Sequence, residues 1–204
     1  MRLSDVFDNP KLYELFQFGV ARSGTSRRIR DEVLRPSGIQ NVLDFGCGIG
    51  YHSLEFPEAQ YVGIEPLEGC VQKAEIMYPA QNRKFLVGDH RTLKTLTDSS
   101  FDLIIAIGVL HHIDDETFSE FMFQGQRLLR PGGRMTTFDP VYHNAQSKIS
   151  RWVVGRDRGR WVRTQPEYQT VIEKYFTNKV EAKIYSKLLR IPYDHIAFNV
   201  TKET

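Results

Sequence analysis

VLDFGCGIGY, residues 42–51, joins a short apolar run to three glycines at alternate positions, Gly46, Gly48 and Gly50, with Asp44 ahead of them. Glycines spaced this way after a strand serve either a bare turn or a ligand that must lie against the backbone. Both uses exploit the same property, since glycine takes positive φ without steric cost and leaves the Cβ position empty. The dinucleotide fingerprint G-x-G-x-x-G would require a glycine three positions after Gly48, where Tyr51 stands. What the chain has instead is D-x-G-x-G-x-G.

Outward from this loop, short apolar runs at 41–45, 60–65, 84–88, 101–107 and 133–138 read as strands. Helical stretches near 50–56, 67–78 and 114–129 separate them. Strands that alternate with helices imply right-handed crossovers and a parallel sheet covered on both faces. RLLRPGGRMTTF marks a helix end, a Pro-Gly-Gly stop and a new strand. Upstream, NPKLYELFQFGV sets Leu12, Leu15, Phe16 and Phe18 near helical spacing. A second helix is expected over 26–34, ended by Pro36-Ser37-Gly38. Beyond Asp139-Pro140 comes a polar, arginine-rich stretch to about Gln165, then a helix in PEYQTVIEKYF. Two strand-like runs, 179–188 and 194–201, close the chain, and the short link between them favours an antiparallel pair. The expected class is α/β, with a mostly parallel seven-stranded sheet, an antiparallel edge strand and helices on both faces. No Pro/Gly/Ser-rich linker divides the chain, so 1–204 is read as a single domain.

The 204 residues are 41% hydrophobic, enough for a sizeable core, and the formal net charge of +2 provides no global field for nucleic acid. Cys47 and Cys70 are too few for a disulfide framework and lack metal-ligand spacing, so no metal site is expected. No run has the length of a membrane span, and Met1-Arg2-Leu3-Ser4-Asp5 does not begin a signal peptide. A cytoplasmic protein with reduced thiols is the expectation.

Ligands on parallel sheets bind at the carboxyl ends of the strands, near the topological switch point. Three acidic residues occupy that end. Asp44 precedes the glycines, Glu65 ends the second strand in YVGIEP, and Asp89 follows the third in FLVGDH. A carboxylate at Glu65 can accept both hydroxyls of a ribose, and one at Asp89 can accept from an exocyclic amine. FDLIIAIGVLHHIDD then supplies a fourth strand that runs into a turn.

With these motifs in this order, residues 40–140 resemble the class I S-adenosylmethionine-dependent methyltransferases, of the small-molecule type with a VLHH turn. The resemblance implies a Rossmann-like three-layer sandwich and S-adenosyl-L-methionine as cofactor. It implies that Gly46 and Gly48 line the methionine portion near Asp44, and that Glu65 holds the ribose. Asp89 and the His90 backbone would meet the adenine, and the Ile107 backbone would line the methionine end. It further implies that 1–38 form an N-terminal helical cap, with Tyr13 toward the substrate, and that 139–165 are a substrate-side insertion. Carboxylates also suit a cofactor whose sulfonium and amino groups are cationic. Glu65 stands where an aspartate is frequent, and His90 where a small residue is.

Methyl transfer needs orientation foremost, and a general base only where the acceptor must lose a proton. His111, Tyr142 and His143 are the candidate catalytic residues, with His112 and Asp139 beside them; the alternative for the two turn histidines is a structural role. His195 reads as a packed or surface histidine. RWVVGRDRGRWVR carries Arg151, Arg156, Arg158, Arg160 and Arg163 and both tryptophans. It is either a solvated connection with Trp152 and Trp161 on the core, or a lid. In the lid reading Arg156, Arg158 and Arg160 bind the carboxylate or phosphate of a small-molecule acceptor, facing one way from an extended stretch. The expected reaction is methyl transfer to O, N or C of a small molecule. Rival readings are a catalytically silent cofactor-binding regulatory protein and an RNA or protein methyltransferase.

Overall fold

The computed structural model describes residues 24–157, 159–178 and 180–203. The expected helix over 12–18, Tyr13 and Arg158 lie outside them. Eight strands form one sheet: β1 (Asn41–Phe45), β2 (Gln60–Glu65), β3 (Arg83–Val87), β4 (Phe101–Ile107), β5 (Leu129–Tyr142), β6 (Arg163–Thr164), β7 (Glu181–Tyr185) and β8 (His195–Thr201). Their order is β3-β2-β1-β4-β5-β8-β7, with the two-residue β6 pairing off this path against the end of β5. All pairings from β3 to β5 are parallel, and β8 runs antiparallel to both β5 and β7. The reversed strand thus sits between β5 and the outermost β7.

Among the described residues, five α-helices accompany the sheet. They are α1 (Thr25–Arg28, continued by a wider turn over Ile29–Leu34), α2 (Glu68–Met77), α3 (Asp115–Leu128), α4 (Lys148–Val154) and α5 (Gln165–Ile172). On one face Phe118 and Phe121 of α3 and Tyr168 and Ile172 of α5 cluster with Leu43, Ile104, Met135 and Phe198. On the other, Leu34, Val71 and Ala74 cluster with Val42, Tyr61, Leu103 and Ile105. Strand β4 is buried along six of its seven residues, as a strand covered on both faces must be. The fully buried Leu103, Ile104 and Ile105 each contribute about 1.5–3 kcal/mol of apolar burial.

Local chemistry sets the helix boundaries. The Asp114 carboxylate accepts from the Thr117 amide at 2.8 Å and caps α3, with Asp115 and Glu116 in its positive first turn. Thr164 and Glu167 form a reciprocal capping box on α5, with Pro166 in the first turn. Arg134 of β5 donates to the carbonyls of Leu34 (2.8 Å) and Val33 (3.4 Å), which ties the end of α1 to the sheet.

Two expectations need correction. The stretch near 50–56 is a five-residue 3-10 turn, Tyr51–Glu55, because Pro57 holds Phe56 out of helical conformation. The glycine loop is therefore not followed directly by an α-helix amino terminus. Strand β5 begins at Leu129 rather than 133. Its pairing with β4 jumps from Phe101↔Leu129 to Leu103↔Arg134, so Arg130–Gly133 bulge out around Pro131, which has no N–H to donate.

Candidate active site

The glycine loop leaves β1 with Gly46, Gly48 and Gly50 all at positive φ (74°, 54° and 79°). Their surroundings differ. A Cβ on Gly46 would come within 2.5 Å of Val109 Cγ2, and one on Gly50 within 2.6 Å of the Phe85 ring. Among the described residues, a Cβ on Gly48 would meet nothing within 4 Å. Gly46 and Gly50 are thus required by packing, while Gly48 borders open space.

Glu65 closes that space from the end of β2. Its Oε2 accepts from the Gly48 amide at 3.0 Å and its Oε1 from the Leu67 amide at 3.1 Å. Two backbone donors hold the carboxylate still, and each oxygen keeps a lone pair for a further donor. Asp44 lies fully buried in β1, where the Tyr61 hydroxyl donates to Oδ2 and Oδ1 has no partner among the described residues. Burial pushes its carboxyl up to about 7; the Tyr61 hydrogen bond opposes this and the Glu65 charge adds to it. Asp89, one residue beyond Gly88 at the end of β3, is engaged by Arg91, which donates through its amide at 2.9 Å and through its guanidinium. The Arg91 side-chain hydrogen bond holds the Asp89 carboxyl down to about 2. His90 lies in the same turn, half-buried. Ile107 ends β4, and Gly108 after it donates to the Phe138 carbonyl at 2.7 Å.

The VLHH turn forms a short 3-10 segment, Leu110–His112. His111 is buried, and both of its ring nitrogens face carboxylates. Nδ1 is 2.8 Å from Asp139 Oδ1, and Nε2 is 3.4 Å from Asp157 Oδ1. Its backbone amide also donates to Asp139 Oδ1 at 3.2 Å. The His112 ring lies tilted against it, with the centroids 3.9 Å apart. His143 is paired elsewhere: its Nε2 is 3.1 Å from Asp194 Oδ2, which also accepts from the Ser150 hydroxyl at 2.9 Å. The Tyr142 ring lies under the Arg151 guanidinium at 5.2 Å. Tyr142, His143 and Arg151 line a cleft of about 600 Å³ with Gln165, Gln169 and Glu173 of α5. No residue of the glycine loop lines it, so the structure separates Tyr142 and His143 from His111.

The arginine-rich stretch is not extended. It folds as α4 and then turns, so the premise that its arginines alternate along a strand fails. Arg156 stacks on the exposed Trp152 ring at 3.6 Å, and Arg160 is exposed in a turn. Arg163 is the buried member of the set. Its guanidinium donates to Asp115 at 2.7 and 2.9 Å and to the carbonyls of Leu110 (2.8 Å) and Ile113 (3.0 Å), which clamps the VLHH turn. Sequence reasoning missed Asp157, Tyr193 and the buried role of Arg163. Asp157 stands among arginines in RDRGR and has no periodicity to set it apart.

Residues 42–133 match the family model described as a methyltransferase domain. An uncharacterized methyltransferase of Mycobacterium tuberculosis is 27% identical over 144 residues, covering 66% of this chain and 72% of the relative. The 27-O-demethylrifamycin SV methyltransferase of Amycolatopsis mediterranei is 34% identical over 104 residues, covering 48% of this chain and 38% of its own. A solved S-adenosylmethionine-dependent methyltransferase from Archaeoglobus fulgidus shares the fold with a TM-score of 0.72 at 20% identity, covering 93% of this chain and 99% of that one. A parallel sheet in this strand order, an open glycine position beside a fixed carboxylate, and a methyltransferase-domain match over residues 42–133 give one likeness: the chain is similar to the class I S-adenosylmethionine-dependent methyltransferases.

Proposed function

We propose that the protein transfers a methyl group from S-adenosyl-L-methionine to an O, N or C atom of a small-molecule acceptor. The observation that carries the cofactor half is the empty Cβ position of Gly48 beside the Glu65 carboxylate, which two amides hold in place. Glu65 accepts from the ribose hydroxyls, and the Gly46–Gly48 backbone lines the methionine portion. The unpartnered Oδ1 of Asp44 is a buried acceptor suited to a nearby cationic group. Asp89, with the His90 backbone, meets the adenine edge once Arg91 yields, and the Ile107 backbone lines the methionine end. When bound, the cofactor supplies a methyl group already activated on a sulfonium.

On the acceptor side the chain's own work is orientation and proton transfer. His111 is the group poised for the proton, since Asp139 holds Nδ1 and leaves Nε2 as the acceptor nitrogen. The imidazolium so formed keeps the Asp139 carboxylate 2.8 Å from Nδ1, which stabilises its charge. Tyr142 and His143 bind more distant parts of the acceptor in the neighbouring cleft, where Arg151 supplies positive charge for a carboxylate or phosphate. Incubation with methyl-labelled cofactor and a fractionated small-metabolite extract tests the reading. A labelled low-molecular-weight product that depends on Glu65 supports it. Tight cofactor binding without any labelled product would favour a catalytically silent binding protein instead.

A further inference from the structure

Asp157, Gly159 and Trp161 seat against His111 through several independent contacts. Besides lying 3.4 Å from His111 Nε2 through Oδ1, the Asp157 carboxylate accepts from the Tyr193 hydroxyl through Oδ2. The same Oδ1 accepts from the Gly159 amide at 2.6 Å, and the Trp161 amide donates to the His111 carbonyl at 3.0 Å. A Cβ on Gly159 would stand 2.1 Å from His111 Cδ2, so only a glycine lets the backbone lie this close to the imidazole. A solvated connection would need none of these contacts.

The carboxylate of Asp157 therefore fills a gap between an imidazole nitrogen and a phenol. Burial, with the Asp157 charge next, raises the Tyr193 pKa, so its hydroxyl stays a donor through the neutral range. His195 closes the wall, edge-on to Tyr193 at 4.8 Å and stacked on Phe138 at 4.7 Å, with its Nδ1 buried and unpartnered. Phe138 is the register partner of Ile107, so this gap borders the strand end where the cofactor groove begins. Asp139 would keep His111 oriented if Asp157 withdrew.

We propose that the gap between His111 Nε2 and Tyr193 Oη is the subsite for an oxygen of the acceptor, a hydroxyl or a carboxylate, and that Asp157 occupies it as a built-in stand-in until the acceptor displaces it. The subsite rests on the reading of the protein as a methyltransferase with its acceptor beside His111. Its geometry does not depend on His111 taking a proton.

Amide hydrogen exchange at Trp161 reads the seating directly, and formate serves as the probe for the subsite. In Asp157→Ala the Trp161 amide should exchange about tenfold to a hundredfold faster, while core amides of β8 such as Phe198 keep their wild-type rates. Excess formate, entering the vacated gap, should slow Trp161 exchange again in Asp157→Ala. In Gly159→Ala exchange should rise equally, but formate should not restore it, because there the obstacle is the added methyl. If Asp157→Ala does not fold, Asp157→Asn, which keeps the Tyr193 hydrogen bond but loses the charge, should show a smaller rise that formate leaves unchanged. Wild-type exchange at Trp161 in the Asp157 variants, or formate without effect on Asp157→Ala, would overturn the proposal. Failure of the His111 reading shows differently, as product formation that survives His111→Gln with the exchange pattern of the other variants intact.

Discussion

Asp44→Asn tests whether the first strand carries a carboxyl held partly neutral by its surroundings. Burial shifts Asp44 from its ordinary 3.8 to about 7, and the amide of asparagine keeps an acceptor for the Tyr61 hydroxyl without ever ionising. At about 1.36 kcal/mol per pH unit, the interval corresponds to on the order of 4 kcal/mol. The sign follows from proton binding. Below about pH 4 folded and unfolded chains both hold the proton, and the full stability is present. As pH rises toward 7 the unfolded chain releases its proton while the folded chain retains it, so stability falls until the folded group titrates. Urea unfolding of the cofactor-free protein between about pH 5 and 8 should therefore show wild type losing stability relative to Asp44→Asn, by as much as a few kcal/mol. The cofactor reverses the preference, because its cationic groups favour the carboxylate. Calorimetry should find wild-type binding that tightens with pH and releases protons, and an Asp44→Asn protein that does neither. Parallel stability curves for the two proteins would refute the argument.

Removing the Glu65 carboxylate in Glu65→Ala should weaken cofactor binding roughly tenfold to a hundredfold by calorimetry, the scale of lost charge-assisted hydrogen bonds. Gly48→Ala and Gly50→Ala should separate two uses of glycine. Alanine at 50 would push against Phe85 and cost about 1–3 kcal/mol in thermal unfolding. Alanine at 48 should cost about 1–2 kcal/mol, from its left-handed backbone alone, yet weaken cofactor binding by projecting into the open space. Arg163→Gln should destabilise by about 1–3 kcal/mol for each of the Leu110 and Ile113 carbonyls that it leaves without a donor, read by thermal unfolding.

Much of the fold is legible in local sequence. The runs 41–45, 60–65 and 101–107 match β1, β2 and β4, because a strand buried on both faces must be continuously apolar. The stretch 114–129 matches α3 because capping and amphipathic spacing are also local signals. Where expectation and structure part, a longer-range constraint intervened. The bulge in β5 depends on how Arg130–Gly133 meet Phe101, and the 3-10 turn at 51–55 was hidden because a helical pattern says little about a turn that Pro57 truncates.

The candidate site divides the same way. The sequence by itself determined the residues of the proposed cofactor half, because they sit at the ends of consecutive strands and each carries its own short motif. Asp44, Gly48 and Glu65 could be named without coordinates. Only the tertiary structure decided the acceptor half. Which carboxylate meets which nitrogen of His111 depends on three distant segments, Asp139 at the end of β5, Asp157 after α4 and Tyr193 before β8, arriving at one point. The arginine-rich stretch, read as charge, looked like a binding arm; folded, its buried Arg163 clamps a turn and its single aspartate fills the gap beside His111. A contact between residues far apart in the chain leaves no periodicity behind, since it is set by how strands and loops pack rather than by what stands next to what.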